Sequence, residues 1–234
     1  MEETNRKSWV ALLVEVLTSP GAAFKEIAER PGFWPAGITL TIINLIIAVI
    51  TLPKVQEFSQ LTLEKMTEMV PPEQVEMLTR SMSPQSVATT TVITALVSPW
   101  VIWLVMAVLL KIFAAITDKE APFRKMFAVG IYGYVPGIIG GIINSILVMF
   151  TVVENIEKVS LNLAVFSTTE SGFIYYFLKA CNPFTWWSLI LWGIGAAAVM
   201  KVKRPTGVLI YLFGLWLVFA LLSGAVGLLN VPMP

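Results

Sequence analysis

Five stretches without any charged residue constrain this chain more than any other feature of its sequence. They cover residues 33–52, 87–110, 126–153, 184–200 and 207–229. A helix needs about 20 consecutive, mostly apolar residues to cross a bilayer, and all of the stretches but the fourth are that long. The fourth has 17 residues, and the lysines that follow it can extend it because their amines reach the membrane surface.

The composition agrees with a membrane protein. Only 13% of the residues are charged, against roughly 25% in soluble proteins, and the mean hydropathy is +0.78. The sequence therefore predicts an all-α, polytopic membrane protein with five transmembrane helices. We expect these helices to form one membrane domain over residues 33–230.

The basic residues predict how the spans are oriented. With the N-terminus inside the cell, the inner segments hold eleven of the sixteen lysines and arginines and only seven of the fifteen acidic residues. Basic residues concentrate on the cytoplasmic side of membrane proteins. The sequence therefore predicts an N-terminus inside and a C-terminus outside.

Residues 1–32 predict a cytoplasmic, interfacial elbow made of two short amphipathic helices. Ser19 followed by Pro20 is typical of a helix start. Phe24 and Ile27 then share one side of the second helix, and charged residues take the other. Two alternatives stay open for the apolar side, which either lies in the membrane interface or packs on the inner face of the protein.

The two outer segments also have helical spacing. In residues 53–86 an apolar stripe includes Met66, Met69 and Met82. Such a stripe is either the inner face of a lid or a surface for a partner, since methionine adapts to varied contacts. The second outer segment, residues 154–183, includes an aromatic helix-like stretch before Asn182 and Pro183.

A glycine-rich stretch, GIYGYVPGIIGGIIN (residues 130–144), raises the question of a phosphate-binding loop. It has no strand before it and no lysine, and it lies inside the third uncharged stretch, so that function is excluded. On a helix, Gly133, Gly137 and Gly141 recur every four residues, which is typical of close helix packing. Asn144 joins this face, and Pro136 predicts a kink. The surface that packs on these glycines belongs either to this chain or to a partner.

The sequence offers little material for catalysis. It has no histidine, a single cysteine (Cys181) and no charged residue within the five stretches. Serine hydrolysis needs a base, aspartyl chemistry needs paired carboxylates, and a metal centre needs a cluster of ligands. We therefore expect no catalytic residue, no metal and no cofactor, and the net charge of +1 gives no reason to expect nucleic acid as a partner.

Four stretches together resemble the Yip-type membrane domain, a family named from eukaryotic proteins that interact with Ypt/Rab GTPases. They are SPGAAFKEIAERPGFWP (19–35), FRKMFAVGIYGYVP (123–136), NPFTWWSLILWGIG (182–195) and the last span after KVKRPTG (201–207). The resemblance implies a five-span helical domain without known catalytic activity. The acidic Tyr-Gly-Pro signature of the eukaryotic members is absent from ERPGFWPAG (29–37), so we do not expect a Rab GTPase as partner.

The resemblance is greatest to compact prokaryotic members, which implies an accessory or adaptor protein of the cytoplasmic membrane, in some cases with an ABC-type exporter. On this hypothesis the chain binds membrane lipid and either another membrane protein or a second copy of itself. Two other functions stay open. One is a passive conduit for a small neutral solute, lined by Asn144 and the threonines at 89–91. The other is a response to lipid composition or curvature through the elbow.

Overall fold

The computed structural model describes residues 7–229 of the 234. The first six residues of the predicted elbow, Arg6 among them, and residue 230 of the predicted membrane domain lie outside this range. Within it, the chain forms ten α-helices and two short 3₁₀ segments, and no strand. The helices are α1 (Trp9–Thr18), α2 (Pro20–Glu29), α3 (Trp34–Thr67), α4 (Pro72–Ser81), α5 (Pro84–Ile116), α6 (Phe123–Tyr132), α7 (Val135–Phe150), α8 (Gly172–Ala180), α9 (Pro183–Val199) and α10 (Thr206–Leu229).

The prediction of an all-α protein with several apolar helices is confirmed. Four helical units among the described residues are long and apolar enough to cross a membrane: α3, α5, α6 together with α7, and α10. Helix α9 has 17 residues, or roughly 26 Å at about 1.5 Å per residue, which is less than the hydrocarbon thickness of about 30 Å. A fifth span therefore stays a prediction.

Helices α3 and α5 continue well beyond the predicted spans. Helix α3 ends 15 residues after the predicted span 33–52, and α5 begins 3 residues before and ends 6 residues after the predicted span 87–110. The charged residues past Leu52 end the apolar stretch but not the helix, because lysine and glutamate are good helix formers. Pro53 is accommodated within α3. The predicted helical outer segments thus include the ends of the two longest helices.

The hydrophobic core lies where α2, α5, α6 and α9 meet. Helix α2 packs mainly on α9, while α5 packs on both α3 and α6. The largest fully buried side chains of this core are Trp103, Tyr132, Phe24, Ile27, Leu110, Met126, Ile131 and Leu191. The predicted elbow is therefore part of the folded bundle.

The outer faces of the long helices are apolar and exposed. Side chains such as Ile42, Ile46, Val105 and Val218 are about half exposed. An apolar surface of this extent on a soluble protein would aggregate, whereas lipid chains solvate it well. These faces agree with a protein that is embedded in a bilayer.

Candidate functional site

The glycine-rich stretch is broken into two helices at Gly133 and Tyr134. Pro136 explains the position of the break, because it has no N–H to donate to the carbonyl oxygen of Tyr132, four residues earlier. The N–H of Tyr134 donates instead to Ile131, at 3.2 Å. The predicted kink is present, and it lies just before the proline that causes it.

Two side-chain hydrogen bonds form at the break, and one of them satisfies a backbone atom that the break leaves without a donor. The carbonyl oxygen of Gly130 has lost its usual helical donor, Tyr134, and the indole Nε1 of Trp192 donates to it at 2.9 Å. The hydroxyl of Tyr132 donates to the carbonyl oxygen of Gly32 at 3.1 Å. These bonds tie α6 to α9 and to the start of α3.

The three predicted glycines contact different partners, all within this chain. A Cβ on Gly133 would collide with the ring of Trp192, and one on Gly137 would come within 2.9 Å of the Tyr134 ring. A Cβ on Gly141 would lie 3.7 Å from Ile47, an ordinary contact. The three positions therefore do not share one packing partner. At Gly133 the covering side chain belongs to this chain, and at Gly137 and Gly141 the two alternatives for the covering surface stay open.

Helix α7 lines a cavity of about 1040 Å³. Gly137, Gly141 and Asn144 contribute to its wall on one side, and α9 and residues 154–182 enclose it on the others. The absence of Cβ atoms along α7 widens this space. Its volume is at the upper end of the range for ligand pockets, about 300–1,000 Å³.

The rim of this cavity carries charges of both signs. Lys158 forms a salt bridge with Glu170, with a distance of 3.4 Å between nitrogen and oxygen. The amine of Lys179 lies 5.9 Å from the centre of the Tyr175 ring. Glu154 and Glu157 also belong to the wall. The space is therefore polar at its rim and can admit water or a polar molecule.

Ser188 lies in the same wall with an unsatisfied hydroxyl. Its side chain is 2% exposed, and its oxygen has no hydrogen-bond partner among the described residues. A buried hydroxyl without a partner costs stability, typically about 1–3 kcal/mol. Ser188 is therefore the polar group of this cavity with the most to gain from a bound partner.

Two of the three predicted elbow residues, Phe24 and Ile27, lie in the core, and Pro20 is partly buried. Pro20 is the first residue of α2, and Ser19 precedes it as the N-cap, without a capping bond from its hydroxyl. Phe24 and Ile27 are 0% and 1% exposed, and the Phe24 ring lies against Gly195 of α9. Of the two alternatives for this face, the structure supports packing on the protein itself.

Helix α1 presents apolar residues on two sides. Leu12 and Val16 are buried in the core, whereas Val10 and Val14 are about half exposed. Lys7 forms ion pairs with Glu15 and Glu26, which join the ends of α1 and α2. If any part of the elbow contacts lipid, it is this outer side of α1.

Sequence reasoning missed several residues that organise the site. Gly130, Trp192 and Gly195 have no periodic pattern that separates them from ordinary membrane-helix residues. Gly130 allows the backbone of α5 to approach, since a Cβ would lie 2.9 Å from the carbonyl oxygen of Trp103. Only the fold shows that these positions face another helix.

The described residues include no cluster of metal-ligating side chains. They contain no group of three or more histidine, cysteine, aspartate or glutamate side chains that could hold a metal ion. The cavity offers hydrogen-bond donors, acceptors and charged groups that can bind a polar molecule.

Comparisons with known proteins agree with this architecture. The model of the Yip1 domain family matches residues 14–226. The chain is also similar to a membrane protein of Bacillus subtilis (strain 168), YknW, with 26% identity over 220 residues that cover 92% of this chain and 90% of that protein. No solved structure is significantly similar to the chain.

Proposed function

The chain belongs to the Yip1 domain family, and from that premise we propose that it is a non-enzymatic accessory protein that binds other membrane proteins. An ABC-type exporter is the class of partner that we propose first. Prokaryotic cytoplasmic membrane is the proposed location, with the N-terminus inside and the C-terminus outside. A Rab GTPase is not expected.

One observation carries this proposal: a helical arm that stands outside the apolar spans. The arm comprises residues 53–86, which are the end of α3, all of α4 and the start of α5. Roughly 20 of the 34 residues of α3 suffice to cross a bilayer, so the rest projects from it. The side chain of Gln56 donates to the carbonyl oxygen of Pro84 at 2.8 Å and holds the two long helices together.

The surface of the arm is adapted to protein contact. No residue of α4 is buried, and Met69 and Met77 are 78% and 75% exposed. Exposed methionines favour association because they fit surfaces of varied shape. No arm residue lines the cavity beside α7. These facts support a partner surface over a lid.

Photo-crosslinking tests the proposal in native membranes. A photoreactive residue replaces Met77 in one variant and Ile46, on the exposed face of α3 within the span, in another. We expect Met77 to crosslink to an exporter subunit that also co-purifies in mild detergent, and Ile46 not to do so. A crosslinked product that contains two copies of this chain would indicate a homo-oligomer. A chain that purifies alone and gives no Met77 product overturns the proposal.

The cavity favours a second candidate function, a conduit for a small neutral solute. Asn144 lies in its wall as this function requires, but the threonines at 89–91 do not. Below the cavity the core is filled by Trp103 and Ile131, both 0% exposed, so a path would need these helices to separate. Proteoliposomes that contain only this protein test it, and solute flux lost in Asn144→Leu would support it.

A further inference from the structure

A second cavity lies at the other end of the bundle, among four lysines. It has a volume of about 460 Å³ and lies between α2, the start of α6 and the turn from α9 to α10. Lys25, Lys125, Lys201 and Lys203 contribute to its wall, and Glu29 is the acidic residue there. We call these four residues the lysine cluster.

The positive charge of the lysine cluster is not neutralised within the described part of the chain. None of the four amines lies within salt-bridge distance of a carboxylate there. Glu29 lies in the same wall without such a contact, and Glu15 and Glu26 bind Lys7 instead. Like charges gathered around one cavity repel each other, so an anion would stabilise them.

The rest of the cavity wall is apolar. Ala28, Ala197, Val199 and Val202 contribute to it. A free phosphate ion gains nothing from such a surface, whereas the glycerol and upper acyl chain of a lipid do. The wall therefore fits an anionic molecule with an apolar part.

The lysine cluster also lies at the ends of apolar helices. Lys125 comes directly before the third uncharged stretch, Lys201 follows the end of α9, and Lys203 comes three residues before α10. These are the positions at which side chains meet the headgroups of a membrane. Basic pockets between membrane helices bind anionic headgroups in this way.

Lys201 itself adopts a backbone conformation that lysine disfavours. Its φ is +55°, and its N–H donates to Ala198 while that of Val202 donates to Ala197, which closes the end of α9. Glycine usually occupies this position because it has no Cβ. A lysine here places an amine at the cavity at a cost in backbone strain.

We propose that the lysine cluster binds the headgroup of an anionic phospholipid. The phosphate lies among the amines, and the glycerol and first methylenes contact the apolar wall. This site is separate from the arm and does not depend on which membrane protein the arm binds.

Lipid titration of the purified, delipidated protein tests the proposal, with thermal unfolding and native mass spectrometry as readouts. The probes are phosphatidylglycerol and cardiolipin, with phosphatidylcholine as the zwitterionic control and inorganic phosphate as the free anion. We expect the anionic lipids to bind at least tenfold more tightly than phosphatidylcholine, and to raise the unfolding temperature by several degrees. Equal binding of anionic and zwitterionic lipids overturns the proposal. Complete displacement of the bound anionic lipid by millimolar phosphate also overturns it.

Two variants locate the site. Lys125→Gln with Lys201→Gly and Lys203→Gln should reduce the lipid preference to less than threefold. The matched control, Lys65→Gln with Lys158→Gln and Lys179→Gln, removes three lysines elsewhere and should keep it. Lys201→Gly alone relieves backbone strain, so it should fold at least as well as the parent while it binds anionic lipid more weakly. Unchanged preference in both lysine-cluster variants overturns the assignment.

Discussion

The indole Nε1 of Trp192 donates a 2.9 Å hydrogen bond to the carbonyl oxygen of Gly130, 62 residues earlier in the chain. That oxygen lost its helical donor when the helix broke ahead of Pro136. A side chain of a neighbouring helix therefore replaces the backbone donor that the break removed. It fixes α9 against α6 at the point where the third apolar stretch changes direction.

Trp192→Phe should destabilise the protein, because it removes this donor while it keeps an aromatic ring. A buried carbonyl oxygen without a partner costs about 1–3 kcal/mol. We expect a lower unfolding temperature in detergent. Trp187→Phe is the matched control on the same helix, since Trp187 is 37% exposed. Equal unfolding temperatures for the two variants would show that the bond contributes nothing.

The sequence predicts the coarse fold well, because uncharged stretches and bilayer thickness are directly linked. It does not predict where α3 and α5 end, since a helix can continue into water after its apolar residues stop. Nor does it predict that Phe24 packs on Gly195. That contact joins residues 171 positions apart in the sequence, and no local pattern encodes it.

The glycine-rich stretch shows more clearly where prediction from the sequence fails. A period of four residues predicts one packed face if the helix is continuous. Pro136 predicts that it is not, and the two inferences conflict. In the structure the helix is broken ahead of the proline. Gly133 faces Trp192, while Gly137 and Gly141 line a cavity. The sequence suggested Asn144 as the lining of a conduit, but no feature of it predicted that Gly137 and Gly141 would line the cavity as well.

Gly133→Ala and Gly141→Ala should differ although both add one methyl group to the same stretch. At Gly133 the new Cβ collides with the Trp192 ring. Such overpacking lowers the stability by about 1–3 kcal/mol. At Gly141 the nearest side-chain atom is 3.7 Å away, so we expect little change. Thermal unfolding of both variants measures the difference. A Gly133→Ala variant as stable as Gly141→Ala would contradict the packing described for the break.

Gly137→Leu should also lower stability, because a Cβ there lies 2.9 Å from the Tyr134 ring. The larger side chain must displace this ring or enter the cavity, at a cost of about 1–3 kcal/mol. Unfolding in detergent measures this cost, and Gly214→Leu is the control, since nothing lies within 4 Å of a Cβ at that position. If Gly137→Leu is no less stable than the control, Tyr134 moves aside freely.

Ser188→Ala should leave the stability of the isolated protein unchanged or raise it. The hydroxyl makes no hydrogen bond among the described residues, so its removal loses none and removes the cost of burying it without a partner, about 1–3 kcal/mol. Thr41→Val is the contrasting variant, because the Thr41 hydroxyl donates to Gly37 at 2.8 Å. A strong loss of stability in Ser188→Ala would mean that the hydroxyl has a partner, such as a bound water.

Cys181 should react slowly with maleimide in the folded protein. The thiol is 4% exposed, its Sγ lies 3.3 Å from the carbonyl oxygen of Phe177, and burial raises its pKa above the ordinary 9.0. The neutral thiol is thus favoured by folding, and this contribution to stability declines as the pH rises above 9.0. The labelling rate at pH 7 and pH 9, before and after denaturation, measures both effects. A rate in the native state equal to that of a free thiol contradicts the burial.

Phe24→Ser should unfold the elbow and destabilise the whole bundle. The ring is fully buried against Gly195, and loss of a core phenylalanine costs about 3–5 kcal/mol. A lipid-inserting Phe24 would instead tolerate serine without loss of stability.

Val10→Ser with Val14→Ser is the informative comparison, because these side chains are exposed on α1 and should tolerate serine in detergent. If this outer side contacts lipid, the double variant should weaken the binding of α1 to vesicles while the unfolding temperature stays constant. The pair of measurements separates a residue that holds the fold from residues that face the membrane.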